Sequence, residues 1–293
     1  MLADVLALVL LQLAVGLAIC NALTPSKDLS GGFFALHGGI ASFALFLSWL
    51  VSGKGGFLLR MEEGGPPRAA AAAARVGTAA LVTRPWFAAA LFTVALAALV
   101  AHTLLARTRF LTLSKNLLFI STLASSSLLV TRVRVEPFAS LPGIGPIWLA
   151  AGLLLGALFF GAVVWAMNLG HWYLVSASLP FGLLVRATEA FAVLALLRAA
   201  FAVVALGLVA RASAGEAGEA LAALLDPMRD GFFFWSRVMW GLVAPLVLAP
   251  FAVKTARMKS NQAATGLLYV GLVFVLVGEL LAAYLTRRSG LPV

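Results

Sequence analysis

Charged residues are scarce in this chain. Only 11% of the 293 residues are Asp, Glu, Lys or Arg, whereas 62% are hydrophobic and the mean hydropathy is +1.04. Soluble domains carry about 25% charged and about 45–50% apolar residues. The composition therefore excludes an ordinary soluble domain and predicts an all-α, polytopic integral membrane protein.

The chain has a single cysteine and lacks several common catalytic motifs. Cys20, inside the first apolar run, is the only cysteine. The chain can therefore form no intrachain disulfide and supply no multi-cysteine iron–sulfur or zinc site. We expect Cys20 to be a buried structural thiol. The sequence contains no Walker A loop, His-Glu-x-x-His or Gly-x-Ser-x-Gly motif, which disfavours nucleotide-driven and hydrolytic chemistry.

Long apolar runs are abundant. A transmembrane helix needs about 20 mostly apolar residues, and eight segments meet that requirement. We expect one transmembrane domain, 1–293, with the helices arranged as two four-helix bundles. Two longer connections, 53–84 and 211–231, are predicted to be membrane-surface loops, the second with a short amphipathic helix at 220–225. The predicted spans are 3–23, 31–52, 85–107, 115–132, 145–172, 181–210, 232–254 and 263–286.

The basic residues lie mostly between these spans. The net charge of +10 therefore indicates contact with anionic lipid head groups rather than with nucleic acid. We call the side of the N-terminus side A and the opposite side side B. More lysines and arginines fall on side A, so the positive-inside rule predicts a cytoplasmic N-terminus in a bacterial-type inner membrane.

All three histidines fall in the side B half of their spans. His37 lies near the start of the second span, His102 near the end of the third, and His171 at the end of the fifth. Polar groups at membrane depth are costly and commonly have a function. We predict that His171 is the catalytic residue and that His37 and His102 contribute to the same cofactor-binding site.

Further polar and aromatic residues surround His171 in the sequence. Asn168 shares a helix face with His171, and Gly38 and Gly39 next to His37 allow close approach of a ring or a backbone. Apolar walls with a few convergent polar groups are typical of a cofactor pocket. The alternatives are satisfied structural histidines, an aromatic belt at the head groups and a structural ion pair. The remaining predicted binding residues are Trp172, Tyr173, Arg186 and Glu189.

A second polar layer is predicted nearer side A. Arg198, Arg237 and Glu279 all lie inside spans, where unpaired charges are expensive. We predict an ion-pair network among these three residues, with Asp230 as a fourth member. Such a network serves either as a clamp between helices or as part of a proton path.

The last two spans resemble a known family. The stretches that carry the resemblance are Trp235-Ser-Arg237-Val-Met-Trp-Gly-Leu-Val-Ala-Pro245 and Leu272-Val-Phe-Val-Leu-Val-Gly278-Glu279-Leu-Leu-Ala, together with Gln12 and Gly16 in the first span. They are similar to the quinol-binding membrane-anchor subunits of dimethyl sulfoxide and polysulfide reductase-type enzymes. The resemblance implies a quinol-binding anchor that exchanges electrons with an iron–sulfur partner. The Gly-His-Trp-Tyr stretch around His171 has no counterpart in that pattern.

These observations lead to one preferred function and two alternatives. We expect a membrane subunit of a respiratory redox complex that binds quinone or menaquinone on side B, with iron–sulfur or cytochrome subunits as partners. In it, His171 would hydrogen-bond a quinone carbonyl and exchange its proton, because imidazole titrates near neutrality. One alternative is a b-type haem protein with two of the histidines as axial ligands and Arg107 or Arg109 near the propionates. The other is a transporter or scaffold with structural histidines.

Overall fold

The protein is a polytopic helical membrane protein. A computed structural model describes residues 2–25, 29–52, 85–108, 110–131, 145–175, 179–180, 182–211 and 216–293, and these residues contain helices and no strand. Eight of the helices are long and apolar enough to cross a membrane, which confirms the predicted fold class. The helices are α1 (Leu2–Leu23), α2 (Gly31–Val51), α3 (Pro85–Leu105), α4 (Leu111–Val130), α5 (Gly145–Val175), α6 (Gly182–Arg211), α7 (Glu216–Leu225), α8 (Pro227–Arg257) and α9 (Asn261–Ser289).

The eight spans form two four-helix bundles, as the sequence predicts. In the first, each of α1, α2, α3 and α4 packs against its neighbour in the chain, and α4 returns to α1. In the second, α5, α6, α8 and α9 form the same closed ring. The two bundles meet mainly where α1 lies along α5, with additional contacts from α1 to α9 and from α4 to α5.

Glycine permits the close contact between the bundles. Gly16 on α1 lies against the backbone of Ala157 and Gly161 on α5, and a Cβ added at Gly16 or at Gly161 would overlap the facing backbone. Helices in lipid gain little from hydrophobic burial against each other, so they associate through such small-residue contacts. The α1–α5 contact is therefore the main packing interaction between the two bundles.

The connection 211–231 contains the predicted amphipathic helix, which runs as α7 over Glu216–Leu225. Asp226 ends the connection, and its side chain accepts a hydrogen bond from the backbone N–H of Met228 at 2.9 Å. Helix α8 then begins at Pro227, earlier than predicted, has a kink at Arg229, whose backbone is not helical, and includes a π-helical segment at Met239–Val243. The predicted loop 53–84 lies outside the described residues. Cys20 is a free thiol that is partly rather than fully buried.

Candidate functional site

His37 is the most completely buried of the three histidines. Its ring is 0% exposed, and its Nδ1 lies 2.9 Å from the carbonyl oxygen of Phe33, one helical turn earlier. A carbonyl only accepts hydrogen bonds, so Nδ1 is assigned the proton and Nε2 is an acceptor. The side-chain amide of Asn168 on α5 donates to Nε2 at 3.2 Å. This hydrogen bond joins the two bundles.

Aromatic rings enclose this pair. The ring centroid of His37 lies 4.3 Å from that of Phe33 and 6.4 Å from that of Trp165, and Trp172 lies 5.7 Å from Phe33. Within the described part of the chain, the buried indole Nε1 of Trp165 has no hydrogen-bond partner. We call these five residues, namely Phe33, His37, Trp165, Asn168 and Trp172, the His37 cluster.

His102 belongs to a neighbouring contact in the first bundle. Its Nδ1 lies 3.0 Å from the carbonyl oxygen and 2.9 Å from the hydroxyl of Ser114 on α4. Its Nε2 is buried and has no hydrogen-bond partner among the described residues. The predicted close approach at Gly38 is made by α3: a Cβ there would lie 2.5 Å from the hydroxyl of Thr103 and 3.2 Å from His102 Cδ2.

The other predicted site residues occupy different surroundings. His171 is exposed near the end of α5. Tyr173 donates its hydroxyl proton to the carbonyl of Pro180 and accepts from the backbone N–H of Leu184 at 3.3 Å, which fixes the turn between α5 and α6. Arg186 is exposed on α6. Glu189 forms an ion pair with Arg257 on α8 at 2.6 Å.

The predicted ion-pair network is present in the second bundle. Arg198 on α6 donates to both carboxylate oxygens of Glu279 on α9, at 2.9 Å and 3.1 Å, and Arg237 on α8 reaches the same carboxylate at 3.4 Å. The side chains of all three are at most 4% exposed. The prediction that Asp230 is a fourth member is wrong, because Asp230 binds Arg288 at 2.5 Å instead. We call Arg198, Arg237 and Glu279 the charged layer.

Gln12 connects the first bundle to the charged layer. Its amide donates to the carbonyl of Leu153 at 3.3 Å, and a Cβ on Gly156 would meet both the Gln12 amide and the Glu279 carboxylate. A cavity of about 20 Å³ lies between Gln12, Arg198 and Glu279. That volume accommodates one water molecule and is too small for a quinone ring.

The charged layer has the properties of a clamp between helices. Two guanidinium groups stabilise the negative charge of one carboxylate and tie α6, α8 and α9 together. Arg237 Nε and Nη1 find no hydrogen-bond partner in the described residues, so removal of Glu279 would leave two buried cations. The π-helical segment Met239–Val243 begins two residues after Arg237.

The His37 cluster combines aromatic rings, the Asn168 amide and, within the described residues, the unpaired indole N–H of Trp165. It does not suit a haem. An axial haem ligand needs an open approach to Nε2. At His37 the Asn168 amide holds Nε2 and the Phe33 ring packs on the imidazole, so His37 does not fit as a haem ligand in this arrangement.

Sequence reasoning placed the centre of the site at His171 and overlooked two members of the cluster. Trp165, Asn168 and Trp172 are spaced by three and four residues, so they share one face of α5. Phe33 precedes His37 by one helical turn on α2. This spacing is visible in the sequence. The pairing of Asn168 with His37, however, joins residues far apart in the chain, so no local sequence pattern indicates it.

Comparison with known proteins identifies no relative. The chain matches no protein-family model, no curated protein and no solved structure with which it was compared.

Proposed function

We propose that this protein is an integral-membrane subunit of a respiratory redox complex that binds quinone or quinol at the His37 cluster. The observation that carries the proposal is a fully buried histidine with an assigned acceptor nitrogen, set among aromatic rings beside an indole N–H that has no partner among the described residues. Polar groups enclosed by apolar walls are the usual composition of small-molecule sites.

The hydrogen bonds of His37 define its role. The Asn168 amide now donates to Nε2, and a quinol hydroxyl is a donor that could take the same place. His37 Nε2 would then accept the hydroxyl proton while the Phe33 carbonyl keeps the ring oriented. Trp165 would donate to the opposite oxygen of the ring. His171, which is exposed near the end of α5, would pass the protons to water on side B.

The electrons of the quinol must leave through a partner, and we assign that role to an iron–sulfur or cytochrome subunit. Each quinol that is oxidised gives up two electrons to that partner and two protons to side B. In this proposal the N-terminus is cytoplasmic in a bacterial-type inner membrane, because side A has more basic loop residues, and the protons are released on the opposite side.

Quinol affinity tests the proposal directly. We expect a short-chain menaquinol analogue, kept reduced, to quench the tryptophan fluorescence of the purified protein saturably, with its hydroxyl donating to His37 Nε2. Substitution His37→Gln should weaken the affinity about tenfold, because the lost hydrogen bond contributes about 1–1.5 kcal/mol. The matched control is His171→Gln, which should leave the affinity unchanged because that side chain is exposed.

Two results would count against this site. Equal affinities of the wild type and both variants would show that the ligand does not bind at the His37 cluster. A loss of affinity confined to His171→Gln would show that the head group binds at His171.

A structural scaffold is the second candidate function. It is favoured by one observation, namely that both ring nitrogens of His37 already have partners within the fold. Under that function, His37→Gln lowers the unfolding temperature and the wild type shows no saturable quenching by the quinol analogue.

A further inference from the structure

Helices α6 and α8 pack side by side, and their side B ends carry an exposed group of charged residues. Arg186 and Glu189 lie on α6, and Lys254 and Arg257 lie on α8. The ion pair between Arg257 and Glu189, at 2.6 Å, shows that these two faces adjoin. We call these four residues the basic seam.

The spacing within each helix places its two charged residues on one face. Arg186 is three residues before Glu189, and Lys254 is three residues before Arg257, so each pair shares a helix face. The guanidinium of Arg186 is directed back toward the start of α6, where its Nη2 lies 4.0 Å from the position of a Cβ on Gly182. Long basic side chains reach toward the head-group level in this way.

The same two faces become apolar toward the membrane centre. Val193 continues the Arg186–Glu189 face of α6 and is 56% exposed, while Phe251 and Val247 continue the Lys254–Arg257 face of α8 and are 56% and 57% exposed. The seam therefore presents three cations and one carboxylate at the head-group level, above exposed apolar side chains. A phospholipid has this same division into a charged head and apolar chains.

We propose that the basic seam binds an anionic phospholipid. The phosphate lies along the seam at the head-group level, within reach of its basic side chains, and the acyl chains run along Val193, Phe251 and Val247. Glu189 neutralises one of the three cations and holds Arg257 in place. The remaining net positive charge favours a lipid with a net negative head group over a zwitterionic one.

Lipid binding to the purified full-length protein tests this site. Native mass spectrometry after delipidation, with phosphatidylglycerol and phosphatidylcholine of identical acyl chains, should show preferential retention of phosphatidylglycerol. Because each basic residue near the surface adds about fivefold to anionic-lipid affinity, the double variant R186Q/K254Q should lose the preference by one order of magnitude or more. The charge-preserving variant R186K/K254R should retain it.

A matched control removes two charges from the other side of the protein. Arg287 and Arg288 already have carboxylate partners in Asp4 and Asp230, so R287Q/R288Q should leave the lipid preference intact. Equal retention of the two lipids by the wild type would overturn the proposal. So would an unchanged preference in R186Q/K254Q, or an equal loss in the two double variants, since that loss would reflect total charge alone.

Discussion

At the scale of single residues, most of the buried charge of the described chain lies in one place. Among the described residues, Glu279 is the one carboxylate that the Arg198 and Arg237 side chains contact, and all three groups are almost completely buried. The sequence predicted this trio because charges at membrane depth require partners. It gave no indication that Asp230 would instead bind Arg288, since that choice depends on how the kinked start of α8 directs the side chain.

Removal of Glu279 should be strongly destabilising. The variant Glu279→Gln leaves two buried guanidinium groups without their counter-charge, and breaking a buried pair costs about 3–5 kcal/mol. Thermal unfolding in detergent measures the effect. The matched control Glu189→Gln breaks the half-exposed pair with Arg257 and should cost less than about 1 kcal/mol. Similar losses in the two variants would contradict the clamp role of the charged layer.

At the scale of helices, hydropathy predicts where spans occur but not how they touch. The eight spans were recognisable from their length and apolar content, and so was the amphipathic character of α7. The kink at Arg229 and the π-helical segment Met239–Val243 of α8 were not, because such irregular turns arise from packing rather than from composition. The contact of α1 with α5 likewise depends on Gly16 and Gly161, two of many glycines in apolar runs.

A methyl group at that contact should weaken the protein. In Gly16→Ala, the new Cβ overlaps the backbone of Ala157, and overpacking of this kind costs about 1–3 kcal/mol. The control is Gly207→Ala in α6, where a Cβ meets nothing within 4 Å, so its stability should stay the same or rise by up to about 1 kcal/mol. The unfolding temperatures of the two variants test these expectations. An unchanged unfolding temperature in Gly16→Ala would contradict the first, because it would show that α1 and α5 can move slightly apart without loss of stability.

At the scale of the whole molecule, the two bundles place the polar groups in separate layers. The His37 cluster joins α2 to α5 across the bundle boundary near side B, and the charged layer lies within the second bundle toward side A. The sequence located both layers by depth. It could not choose between His37 and His171, because the choice depends on which face of α5 meets α2, and that is decided by long-range packing.

Mass spectrometry of everything that copurifies with the protein from its native membrane tests the central claim most directly. The proposed function predicts bound quinone, about one per chain, together with iron–sulfur or cytochrome subunits. Purification without quinone and without any redox subunit, or together with a solute-binding protein, would contradict a role in electron transfer.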